Sequence, residues 1–207
     1  MFASTLVGLL LSSMTLVSAA PSAKRAPGPW CSNLGAGAFD IVTNFTLAAF
    51  NVDQPNANNT GIPLVLGQAG AIDGAEFKIL STFASFPFND YPSLSMQAGA
   101  IFAHSPSGNT AVNSDVTGAG EKPGFIQTTP EPQPPQIYCA VASTDPHGGG
   151  TGFPVLAVLG DTDSFSLCPA GNFTGAQTSV VYKPEVNATS YIFDQCVPVH
   201  LQIIEAQ

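Results

Sequence analysis

The sequence predicts an all-β fold, either a compact antiparallel β-sandwich or a β-trefoil-like barrel, stapled by disulfides. Three observations carry that expectation. Beyond the N-terminal apolar run, no window of a dozen residues keeps an apolar stripe at helical spacing. The 20 glycines and 18 prolines interrupt the chain every few residues, and the apolar runs between them have the length and composition of strands. Four cysteines, Cys31, Cys139, Cys168 and Cys196, are even in number and match no zinc-ribbon or Cys-x-x-Cys spacing, so all four are expected to pair. Three connectivities remain open.

Taken in order, residues 1–19 read as a cleaved secretory signal. The apolar run from Leu6 to Val17 is shorter than the roughly 20 residues a bilayer-crossing helix needs, and Val17-Ser18-Ala19 suits a signal peptidase. Residues 20–30 form a short Pro- and Ser-rich segment whose dibasic Lys24-Arg25 reads as a second processing site, the alternative being an uncut exposed tail. Residues 31–207 are expected to form a single β-rich domain. Strands are predicted at Phe45–Phe50, Leu64–Leu66, Glu76–Ser81, Leu94–Gln97, Ala100–His104, Phe125–Thr128, Ile137–Val141, Val155–Leu159, Ser164–Cys168, Ser179–Tyr182 and Val197–Ile203, with one short helix near Ala38–Val42. In the last strand Val197, Val199, Leu201 and Ile203 alternate with mostly polar residues, predicting one buried and one mostly wet face, and Pro198 suits an edge or first-residue position. A segment with four prolines, Thr128–Gln136, is expected to be an extended loop outside the ladders. An internal echo relates Gly61–Gly67 with Glu76–Ile79 to Gly152–Gly160 with Ser164–Leu167, as a repeated β architecture would.

Charge narrows the partners. The formal net charge is −9, Arg25 is the only arginine, and beyond it only Lys78, Lys122 and Lys183 oppose 14 acids. Nucleic acid and anionic lipid, both held by many basic contacts, are disfavoured. A charged fraction of 9% beside 44% hydrophobic residues argues for a folded core over disorder. The closing Ile203-Ile204-Glu205-Ala206-Gln207 is not the apolar tail that a GPI anchor replaces, so no membrane anchor is expected. No cofactor and no metal is expected.

Four Asn-x-Thr sequons, at Asn44, Asn58, Asn172 and Asn187, follow the signal and are expected on the surface as glycan acceptors. The other chemical candidates have plainer readings. His147-Gly148-Gly149-Gly150 matches an esterase oxyanion loop, but no Gly-x-Ser-x-Gly elbow accompanies it, so it reads as a flexible loop. Asp161-Thr-Asp163, with Asp73, Glu76 and Asp90 in the echoing first half, would suit glycoside hydrolysis if two carboxylates were suitably spaced; a local Asx turn is the simpler reading, with calcium a minor one. His104 and His200 read as solvent-facing or hydrogen-bonded strand residues. Phe83, Phe86, Phe88 and Tyr91 would stack on sugar rings if exposed and cap the core if not. Trp30 is expected to pack on the Cys31 disulfide.

Leu159-Gly160-Asp161, Phe165 leading to Cys168, Gly171-Asn172-Phe173, and Gln195-Cys196-Val197-Pro198-Val199-His200-Leu201 follow one another in the C-terminal stretch. In this order they resemble the C-terminal domain of the Pir-type cell-wall mannoproteins of fungi. Lys24-Arg25 is similar to that family's processing site, and Leu94–Ile101 more loosely to its apolar strand and turn. The Gln-rich repeat through which such proteins are ester-linked to β-1,3-glucan is absent here, and the cysteine spacing differs. The resemblance implies a secreted, non-enzymatic fungal glycoprotein, extracellular or wall-associated, with no catalytic residues to carry over. The alternative is a carbohydrate-binding module for wall polysaccharide, β-glucan or chitin, and a less favoured one is a glycoside hydrolase. The oligomeric state is left open.

Overall fold

The computed structural model describes residues 26–114, 117–143 and 151–206. The signal segment, the dibasic pair Lys24-Arg25 and the His147–Gly150 loop lie outside the described residues. Thirteen strands follow one another: β1 (Ala38–Phe39), β2 (Val42–Asn51), β3 (Ile62–Ile72), β4 (Ala75–Thr82), β5 (Ser93–Gln97), β6 (Ala100–His104), β7 (Thr110–Asn113), β8 (Gly124–Thr128), β9 (Tyr138–Val141), β10 (Val155–Val158), β11 (Phe165–Pro169), β12 (Thr178–Tyr182) and β13 (Val197–Glu205). Two single-turn 3-10 helices, Pro29–Cys31 and Phe193–Gln195, complete the described elements.

Every predicted strand is present, and β1 and β7 are additional. The helix expected near Ala38–Val42 is replaced by β structure: Ala38 and Phe39 pair with Val141 and Ala140 of β9, and Val42 opens β2. Ala38 packs beside the Cys31–Cys139 disulfide while Phe39 and Val42 pack against the main core, so tertiary pairing overrides the local helical composition.

All pairings are antiparallel. Strands β2, β5, β6, β7, β8, β4, β12, β11 and β13 follow one another, and β13 pairs back to β2 from Val199↔Asn51 to Glu205↔Phe45, closing a nine-stranded barrel. Within it β3 pairs with both β2 and β4, and β9 and β10 extend the sheet from β13 towards β1. Closure satisfies backbone groups that an open sheet would leave unpaired at its edges. One continuous apolar cluster fills the interior, from Phe45, Leu47 and Ala49 of β2 to Val199, Leu201 and Ile203 of β13.

The internal echo is not a structural repeat. Its first copy is the β3–β4 hairpin, whereas in the second β10 and β11 each pair with β13 and do not pair with one another. The closing strand is also not an edge. β2 lies on one side of β13 and β10 and β11 on the other, with Pro198 second in the strand. Its alternation holds inward, but the opposite face is not all wet: Gln202 is completely buried between Ala48 of β2 and Val155 of β10, its amide without a hydrogen-bond partner among the described residues.

Two local devices set the chain's path. Ala98 and Gly99 both have positive φ, 49° and 78°, in the two-residue turn between β5 and β6, and the Trp30 indole lies where a β-carbon on Gly99 would sit. Thr128, the first residue of the proline-rich segment, still pairs with Ala75 as the end of β8; from Thr129 to Gln136 the segment runs without ladder pairing, as expected, and it is pinned by buried Asn113. That side chain accepts from the Ile101 N–H at 2.8 Å and donates to the Pro135 carbonyl at 2.9 Å.

Candidate functional site

The cysteines pair as Cys31–Cys139 and Cys168–Cys196, with no free thiol among the described residues. The first bond joins the segment before β1 to β9, with Trp30 packed on it as expected. The second ties β11 to the start of β13, over Val181 and Tyr191. All four sequon asparagines, Asn44, Asn58, Asn172 and Asn187, are exposed. Asn58 Oδ1 accepts from the Thr60 hydroxyl and from the N–H groups of Thr60 and Gly61, an Asx turn that holds the acceptor triplet in one local conformation. Asn172 Oδ1 accepts from Gln195 Nε2 at 2.7 Å, beside the second disulfide.

Asp161 is the centre of a polar hub that includes the Asp163 backbone. Asp161 Oδ1 accepts from the Asp163 N–H, the Asx turn expected, and Oδ2 accepts from the Ser164 hydroxyl at 2.7 Å, the Tyr182 hydroxyl at 3.0 Å and Lys183 Nζ at 3.2 Å. Burial acts to raise the pKa of Asp161, but these donors outweigh it and lower it to about 2. A carboxylate so saturated is a poor general acid or base near neutrality. Asp163 is exposed and faces His200 Nε2 at 3.0 Å, while His104 Nε2 lies 2.8 Å from the Ser95 hydroxyl. Both histidines are thus hydrogen-bonded strand residues, and no cluster of three metal-ligating side chains occurs among the described residues.

The aromatic segment divides. Phe83 and Phe88 are exposed, at 45% and 59%, and Phe86 is half-buried with its ring edge-on to Phe88 at 5.2 Å. Tyr91 leaves the set of candidate sugar platforms. It is 6% exposed and belongs to the main core cluster with Leu64, Leu80 and Leu94. Its ring lies 5.5 Å from Lys78 Nζ and its hydroxyl donates to Gln127 Oε1. Burial first, then the charges of Glu76 and Asp90, raise its pKa, so the phenol stays a donor.

Lys78 was not apparent as a site residue in the sequence, where it is one lysine in a strand. In the structure its side chain is only 5% exposed, and its ammonium meets Glu76 Oε2 at 2.8 Å. The signal that could have found it is alternation: Glu76, Lys78 and Leu80 share one face of β4, and Leu80 is core. No protein-family model, curated protein or solved structure matches this chain.

Proposed function

We propose that the chain is a secreted, non-enzymatic fungal glycoprotein, extracellular or associated with the cell wall. The observation that carries this reading is the combination of two closed disulfides with four sequon asparagines all on the surface of the same barrel. Disulfides persist in oxidising compartments, where sequons also meet the glycosylation machinery. The likeness of Leu159–Leu201 to Pir-type mannoproteins supports the wall as the destination. Fractionating the producing cells into medium, wall extract and cytosol tests it. The protein is expected in medium or wall with a mass lowered by endoglycosidase; a purely cytosolic, unmodified chain overturns it.

A second reading, a module that binds wall polysaccharide, is favoured by the exposure of Phe83 and Phe88 on one loop. Retention on insoluble β-glucan or chitin is its test, and failure of folded protein to be retained on either counts against it. Nothing comparable favours the hydrolase reading, which rests on Asp161 or Asp163 with another carboxylate; Asp161 is committed to four donors.

A further inference from the structure

We infer that Glu76 and Gln127 form a preorganised subsite for a neutral saccharide at the end of the barrel beside the β3–β4 hairpin. This deepens the carbohydrate-binding reading and rests on it. The two residues are directly opposite one another in the β4–β8 ladder, so their side chains leave the same face. Both line an open depression of about 330 Å³ at the hairpin tip, with Asp73 and Ile72 on its rim. That volume is within the range of small-ligand sites, roughly 300–1,000 Å³.

Each of the two is held from the core side. Lys78 Nζ bonds one oxygen of Glu76, and the Tyr91 hydroxyl bonds the carbonyl oxygen of Gln127. The Lys78 ammonium also lies against the Tyr91 ring, so both supports brace one another. Glu76 Oε1 and Gln127 Nε2 have no protein partner among the described residues, which leaves an anionic acceptor and an amide donor side by side. Side-chain entropy of binding is thereby paid in advance.

The chemistry selects the ligand. A carboxylate oxygen accepts from hydroxyls and an amide nitrogen donates to them, the pair of functions that neighbouring sugar hydroxyls require. Anions are repelled by Glu76 and Asp73, since the one nearby cation is buried and committed to Glu76. Exposed Ile72 offers an apolar wall for the C–H face of a ring.

The test uses the full processed, glycosylated protein titrated by calorimetry with neutral β-1,3-gluco-, chito- and manno-oligosaccharides, comparing wild type with Glu76→Gln, Gln127→Glu and Phe88→Ala. Each isosteric exchange can keep an oxygen towards its inner donor, Lys78 or Tyr91, and reverse the outward function; each also changes the local charge by one unit, so thermal melts check that the fold is retained. Loss of at least about tenfold in affinity in each supports the subsite. Undiminished binding by both exchanges, with loss in Phe88→Ala, overturns the subsite and leaves the carbohydrate reading standing. No binding of any oligosaccharide by folded wild type overturns both. NMR shift mapping on wild type gives an answer independent of the variants: perturbations centred on Glu76 and Gln127 support the site, and perturbations confined elsewhere overturn it.

Discussion

The Tyr182 hydroxyl donates to Asp161 Oδ2 across 3.0 Å, joining the end of β12 to the turn that leads into β11. Ser164 and Lys183 converge on the same oxygen, so one carboxylate fastens two strand ends that are not adjacent in sequence. The pKa of Asp161 is lowered from 3.8 to about 2 by these donors, against the opposing effect of burial. A depressed folded-state value means that the stabilisation is complete above the unfolded pKa and is lost as pH falls from there through the folded one.

Asp161→Asn is therefore expected to lower stability near neutrality by about 1–2 kcal/mol, discounted for partial exposure of the site. It should also flatten the decline of stability between about pH 4 and pH 2. Urea unfolding across that range checks both, and an unchanged acid limb in the variant would contradict the assignment.

The two disulfides should differ in worth. Cys31–Cys139 spans 108 residues and Cys168–Cys196 spans 28. Constraint of the unfolded chain predicts about 5 kcal/mol for the first and about 3.5 kcal/mol for the second. Paired Cys→Ala replacements followed by denaturant unfolding give the order, with the Cys31–Cys139 pair expected to cost more.

Gly99→Ala should be felt through Trp30, the single tryptophan of the chain. A β-carbon at residue 99 would come within 2.2 Å of Trp30 Nε1, and its φ of 78° disfavours a side chain in any case. A loss of about 1–3 kcal/mol is expected. Because the indole must move, its fluorescence should shift to the red; unchanged emission would show that Trp30 does not cover this turn.

Lys78 and Glu76 should respond asymmetrically. Lys78→Met replaces a buried ammonium with an apolar chain of similar length and leaves Glu76, 53% exposed, free to hydrate, so stability should change by less than about 1 kcal/mol. Glu76→Ala strands the buried ammonium, with a cost of about 3 kcal/mol expected. Thermal melts of the two variants compare them directly, and equal losses would mean that the pair acts as a simple surface bridge.

Much of the architecture is legible from strand-length apolar runs set between glycines and prolines. Alternation in Val197–Ile203 places Val199, Leu201 and Ile203 in the core, and lack of ladder pairing from Thr129 to Gln136 follows from the prolines there. The exceptions are residues whose state depends on a remote neighbour. Ala38 and Phe39 are extended because β9 offers them partners, and Gln202 is buried on a face that alternation marks as wet, with Ala48 of β2 and Val155 of β10 beside it in the ladders. Tyr91 has the composition of a sugar platform and belongs to the core, where it meets Lys78 of β4 and Gln127 of β8.

By itself, then, the sequence determined an all-β chain with four paired cysteines, since period, punctuation and cysteine count are local properties. Only the tertiary structure decided the barrel over the sandwich, chose Cys31–Cys139 and Cys168–Cys196 among three pairings, and set Glu76 opposite Gln127. Those outcomes depend on which distant strands share hydrogen bonds: closure needs β13 to find β2 from the other end of the chain, and no local pattern encodes that pairing.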